Sequence, residues 1–156
     1  MPTEQAELLH ILSHTVFNLY GIERLAKWKS IRDSIETASD PLAVCVDAWA
    51  HAPFVSAYLD PLDAGSWPDP WQLIIDSKYD CLAISLGMLY TLNLTSRFTN
   101  EDFKIYMTPE FDKNRKEFYL LVANTHVLNL EYSSVSTLEK LNERKTTKIF
   151  ELSKSQ

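Results

Sequence analysis

Tyr79-Asp80-Cys81-Leu82-Ala83-Ile84-Ser85-Leu86-Gly87-Met88-Leu89-Tyr90 is the stretch whose reading decides the fold. It is apolar on nearly every side, which predicts a core helix from about Asp80 to Leu92, covered by neighbours over most of its surface. Gly87 in its middle predicts close approach by another backbone. Cys81 opens the helix. A thiol there meets free backbone N–H groups and the positive end of the helix dipole, which lower its pKa and make it a better nucleophile.

Upstream, apolar residues from Thr3 to about Ser30 recur at three- and four-residue spacing: Leu8, Leu9, Ile11, Leu12, Val16, Leu19, Tyr20, Ile22 and Leu25. This is an amphipathic helical pattern with a break expected near Gly21, and Trp28, Ile31 and Ile35 carry the face onward. Ser39-Asp40-Pro41 then offers a cap and a first-turn proline for a helix through Leu42, Val44, Cys45, Ala48, Trp49 and Ala52, stopped or kinked by Pro53. Leu59 to Trp71 is dense in turn formers, yet Trp67 and Trp71 imply an ordered, packed loop, with a short helical turn from Trp71 to Asp76.

Beyond Asn93 the period changes. Phe103 to Met107 alternates like a strand, Asp112 to Lys116 is a polar turn, and Glu117–Ala123 and His126–Tyr132 read as strands joined at Asn124-Thr125. Ser136 to Arg144 reads as a final short helix or ordered tail. Helices first and an antiparallel sheet second make the chain α+β.

At 156 residues the chain fits one domain, 1–156, with 139–156 as an extended or helical tail. An apolar fraction of 46% with only three glycines argues against disorder. No long uncharged apolar run predicts a membrane span, and the first residues lack the pattern of a signal peptide. Cys45 and Cys81 are too few for a disulfide framework, which makes a reducing cytoplasm the expected compartment. Residues 36–80 carry Glu36, Asp40, Asp47, Asp60, Asp63, Asp69, Asp76 and Asp80 against Lys78 alone. Such an acidic middle disfavours nucleic acid, because phosphate binding is largely an electrostatic gain. The uneven charge reads as a solvated acidic surface, with a mildly basic tail from Glu139 to Gln156 that docks on an acidic neighbouring subunit as the sharper alternative.

A helix opened by Cys81 and followed by antiparallel strands resembles the core of the transglutaminase-like cysteine peptidase superfamily, over roughly residues 75–135. In that family the helix-opening cysteine is the nucleophile. A histidine on the next strand activates it, and an aspartate or asparagine on the following strand orients the histidine. The bacterial peptidase branch shows a histidine starting an apolar strand, a turn, and an apolar strand ending in Leu-Asp-Asn. This chain shows Glu117-Phe118-Tyr119-Leu120-Leu121-Val122, a turn, and Val127-Leu128-Asn129-Leu130-Glu131-Tyr132. The alignment places Glu117 or Phe118 at the base position and Glu131 at the orienting position. The resemblance therefore implies a degenerate site with Cys81 kept as a small buried hydrophobe. An active site, if present, would use Cys81, His126 and Glu131.

Other clusters carry less. Cys45 and His51 are six residues apart, about 600° of helical rotation, and do not share a face. Cys45 reads as core filling. His10 and His14, with Glu7, share a helical face at a spacing that can hold a metal, but no further ligands stand near in sequence, so a polar helix edge or subunit contact is the reading adopted. No phosphate-binding glycine loop, nucleophile elbow or Cys-x-x-Cys pair is present, so no cofactor and no metal is expected.

The sequence thus reads as a non-catalytic protein-interaction or structural component, an oligomer or part of a complex of protein subunits, with Trp67 and Trp71 as interface candidates. Trp71 is expected to pack in the core, closing the loop over the N-terminal end of the Cys81 helix, and Trp67 to reach a partner. The run Trp67-Pro68-Asp69-Pro70-Trp71-Gln72-Leu73-Ile74 also looks like that of small tailed-bacteriophage proteins, which makes a virion or assembly role the preferred setting. The alternatives are an active cysteine peptidase or amidase using Cys81, and a small-ligand module at the Trp67–Trp71 loop.

Overall fold

A computed structural model describes residues 16–76, 78–109 and 116–154. His10, His14 and most of the polar turn expected near Asp112 lie outside the described residues. The helices are α1 (Gly21–Thr37), α2 (Pro41–Trp49), α3 (Pro70–Ile75), α4 (Cys81–Asn93) and α5 (Leu138–Asn142). The strands are β1 (Phe103–Met107), β2 (Phe118–Val122), β3 (His126–Leu128), β4 (Val135–Thr137) and β5 (Thr147–Leu152). They form one antiparallel sheet in the order β4-β3-β2-β1-β5. The protein is therefore α+β, as the order of its periods predicts. Among the described residues no helix is long and apolar enough to cross a membrane.

Aspartates begin α2, α3 and α4. Asp40 accepts the Ala43 N–H (3.3 Å), Asp69 the Gln72 N–H (2.8 Å) and Asp80 the Ala83 N–H (2.8 Å), each satisfying a donor that the first turn leaves free. Pro41 and Pro70 follow their caps at the first helical position, where a missing N–H costs nothing. Asp69-Pro70 is thus a helix start rather than a loop turn.

The expected core helix is α4, with Leu82, Ala83, Leu86, Leu89 and Leu92 all but inaccessible. The close approach at Gly87 is real, but a side chain makes it. A Cβ built there would lie 2.1 Å from the Trp49 indole. That ring is fixed one turn later, where Trp49 Nε1 donates to Thr91 Oγ1 at 2.9 Å. Trp28 of α1 donates to the same hydroxyl at 2.9 Å, and the hydroxyl donates to Gly87 O at 2.7 Å.

Every β2 residue is buried, because the sheet is covered on both faces. Phe118, Leu120 and Val122 join the helical core, while Tyr119 and Leu121 meet Val127, Leu130 and Leu141 on the other side. The strand expected over His126–Tyr132 stops at Leu128, since Asn129 turns into the left-handed region (φ 68°). The hairpin turn also sits one residue earlier than expected. Ala123 (φ 53°) and Asn124 (φ 59°) are both left-handed, and Thr125 N–H closes onto Val122 O at 3.1 Å.

Two stability changes follow. Thr91→Val leaves two buried indole N–H groups without an acceptor, and a loss of about 2–5 kcal/mol is expected in urea unfolding. Ala123→Gly relieves a left-handed alanine and should raise stability by about 1 kcal/mol in the same measurement.

Candidate functional site

The end of β3 creates the site. Leu120 of β2 pairs with Leu128, but Phe118 has no β3 partner because the chain has turned away at Asn129. The first turn of α4 fills the gap. Phe118 N–H donates to Cys81 Sγ at 3.4 Å, and Ser85 Oγ donates to Phe118 O at 2.8 Å. Asn129 completes the junction: its Nδ2 lies 3.0 Å from Phe118 O, 3.1 Å from Cys81 O, 2.9 Å from Ser85 Oγ and 3.5 Å from Cys81 Sγ. Its left-handed backbone is one that asparagine tolerates better than most residues.

Asp80 holds the other side. Beyond capping α4, its Oδ2 accepts the N–H groups of Tyr58 (2.8 Å) and Leu59 (3.0 Å), and the carboxylate is buried. The Tyr58–Leu59 backbone therefore bonds to the start of α4.

The electrostatics at Cys81 oppose the expectation of an activated thiol. Burial pushes its pKa up, the Phe118 N–H and Asn129 amide pull it down, and the Glu117 and Asp80 carboxylates push it up, with a net upward shift. A helix N-terminus contributes about 0.3–1 kcal/mol, less than one pKa unit, and burial outweighs it.

Cys81, His126 and Glu131 do not come together. His126 is exposed beside Thr125 Oγ1 (2.9 Å) and sits opposite Val122, four residues along β2 from Phe118, or about 13 Å. Glu131 is exposed, and its Oε1 takes Lys140 Nζ at 3.2 Å. At the aligned base position, Phe118 packs in the core, and the Glu117 carboxylate is bound to the Tyr119 hydroxyl and lies 3.6 Å from Arg144. Burial and Glu117 together raise Tyr119 to about 12. The side chain that reaches Cys81 from the end of β3 is Asn129, which sequence reasoning missed. The signal that could have found it is an asparagine, a residue type the resembled family uses at the orienting position, directly after Leu128.

The remaining candidates separate. Cys45 is fully buried against Met88 O (3.8 Å), and burial pushes its pKa far up. The tryptophan loop lies elsewhere than expected, since Tyr90 near the far end of α4 donates to Pro68 O at 2.8 Å. Trp67 is half-buried, donates to Asp60 O (2.7 Å) and leans on Phe150. Trp71 is 49% exposed, edge-on to Trp28. The expected burial of the two rings is reversed because α3 turns Leu73 and Ile74 inward, leaving Trp71 and Ile75, four apart, outside. Among the described residues no group of three His, Cys, Asp or Glu side chains is placed to hold a metal ion.

No family model and no curated protein sequence matches the chain. A solved structure, Legionella pneumophila LapG, matches with a TM-score of 0.61 at 16% identity, covering 92% of this chain and 83% of LapG. At that identity the likeness carries the fold, a transglutaminase-like core, and not the chemistry.

Two variants separate the roles of Asn129. Asn129→Gly keeps the left-handed turn but removes the amide, and should cost about 1–2 kcal/mol. Asn129→Leu should cost about 1 kcal/mol more, because leucine is strained at that φ. Trp71→Ala, at a half-exposed site, should cost about 1–2 kcal/mol rather than the 3–5 of a buried ring. Urea unfolding reads all three.

Proposed function

We propose that this transglutaminase-like chain is non-catalytic and acts by binding other protein subunits. The observation that carries the reading is the company kept by the Cys81 sulfur. Among the described residues its hydrogen-bonding neighbours are a peptide N–H and carbonyl of Phe118 and the Asn129 amide, none of which can take a proton from a thiol at neutral pH. Glu117, beside it, raises the thiol pKa and is already engaged by Tyr119 and Arg144. A virion or assembly setting is the finer part of the proposal and rests on the residue 67–74 resemblance alone.

The runner-up is a cysteine peptidase or amidase using Cys81. One observation favours it: Cys81 stands at the N-terminus of α4, partly exposed, with the Asn129 amide just past β3 at 3.5 Å.

Iodoacetamide labelling followed residue by residue by mass spectrometry separates the two. The proposal expects Cys81 to label at pH 7 at least tenfold more slowly in the native chain than in urea, with a rate that keeps climbing past pH 8.5 as the raised thiol ionises. Native labelling as fast as in urea, levelling off below about pH 7, would establish an activated thiol and the enzyme reading. Cys81→Ala should leave association with partner subunits unchanged.

A further inference from the structure

We propose that β5 is a dimerisation edge, through which two copies of this chain pair antiparallel about a two-fold axis between Ile149 and Phe150. This deepens the protein-binding reading above and rests on it, naming a second copy as the partner.

The strand lies at the end of the sheet, bonded to β1 on one side, and among the described residues no strand lies on its other side. At six residues it is the longest strand of the sheet. It is not flat. The register shifts between Ile105 and Tyr106, which pair with Phe150 and Lys148, so Ile149 is an extra, bulged residue. Ile149, Phe150 and Leu152 all pack against the helical core.

Residues three apart on a regular strand point to opposite faces. Here the bulge brings Lys148 and Glu151 to the same face, where their charged groups meet at 2.6 Å. That face is the outer one, carrying Lys104 opposite Glu151 and Tyr106 opposite Lys148. Both charged side chains remain partly exposed, at 45% and 35%.

A two-fold axis between Ile149 and Phe150 sets Lys148 against Glu151 of the second copy, and Glu151 against its Lys148, on one face. Ile149 meets Phe150 on the other. The strand is therefore self-complementary in charge and in apolar character, as an isologous interface requires. Opposite-charge pairs directly across two strands are stabilising and like pairs are not, so any other in-register antiparallel pairing loses this match. The bulge adds twist to the edge, and both copies carry the same twist at the axis.

Sedimentation velocity of the full chain over a concentration series tests the proposal. A reversible dimer is expected. Lys148→Glu, at an exposed position, should weaken it at least tenfold while circular dichroism and urea unfolding stay near the parent's. The charge-swapped double variant, Lys148→Glu with Glu151→Lys, should restore it. A parent monomeric up to the highest concentration overturns the dimer, as does a Lys148→Glu variant that dimerises like the parent, or a double variant that stays monomeric. Slow Cys81 labelling together with a monomer removes the β5 proposal alone, and fast labelling together with a dimer removes the non-catalytic reading alone.

Discussion

The hydroxyl of Thr91 is where three helices meet on one atom. A threonine hydroxyl offers one donor and two acceptor sites, and all are used: it donates to Gly87 O and accepts from the indoles of Trp28 and Trp49. Leaving either buried indole N–H unpartnered costs about 1–3 kcal/mol, a large part of the 5–15 kcal/mol by which a domain is stable. Gly87 belongs to the same device. The acceptor one turn away draws Trp49 across the helix, and only a residue without a Cβ leaves room for the ring. The arrangement propagates along α4 toward its start. Trp49 stands edge-on to Tyr79 at 5.3 Å, and Phe17 contacts both rings. The Tyr79 hydroxyl, Leu73 O, Ile74 O and Asp76 O lie within 2.8–2.9 Å, and the buried Arg24 guanidinium ties Ile74 O and Asp76 O to α1. Tyr79 precedes the Asp80 cap directly, so the position of Cys81 is set by packing that extends from Thr91.

Much of this was legible because burial writes itself into period. A helix covered on all sides must be apolar on all sides, as α4 is, and the five buried positions of β2 read as a continuous apolar run for the same reason. The three-residue strands β3 and β4 are too short to show alternation, and β5 hides its own: the bulge sends Ile149 and Phe150 to the same side, so counting by twos fails. The same arithmetic misassigned the site. Extending β3 to Tyr132 made Glu131 look like a strand-borne acid, but the left-handed turn at Asn129 ends the strand at Leu128, four residues earlier, and delivers the amide instead. Nor can a sequence show which atom an indole N–H will find. Gly87 announced a close approach, and nothing in the string said that Trp49 would make it.

Whether a helix-opening cysteine becomes a nucleophile is decided by what stands beside it, and the balance here can be followed group by group. The helix dipole favours the thiolate by about 0.3–1 kcal/mol, within the first turn only. Burial favours the thiol, and burial can move a buried group's pKa by several units. The two hydrogen bonds to sulfur favour the thiolate, but one of the two donors is shared. Phe118 N–H reaches a sulfur at 3.4 Å, and the Asn129 amide divides two hydrogens among Phe118 O, Cys81 O, Ser85 Oγ and Cys81 Sγ. Two carboxylates, Glu117 and Asp80, then repel the anion. In an activated site the base would become cationic on taking the proton and would reverse this last effect. Phe118 cannot do so, and Glu117 works the other way. Whatever the thiol's chemistry, Cys81, Ser85 and Asn129 hold the start of α4 in the gap left by β3 and satisfy the Phe118 backbone where the strand has lost its neighbour.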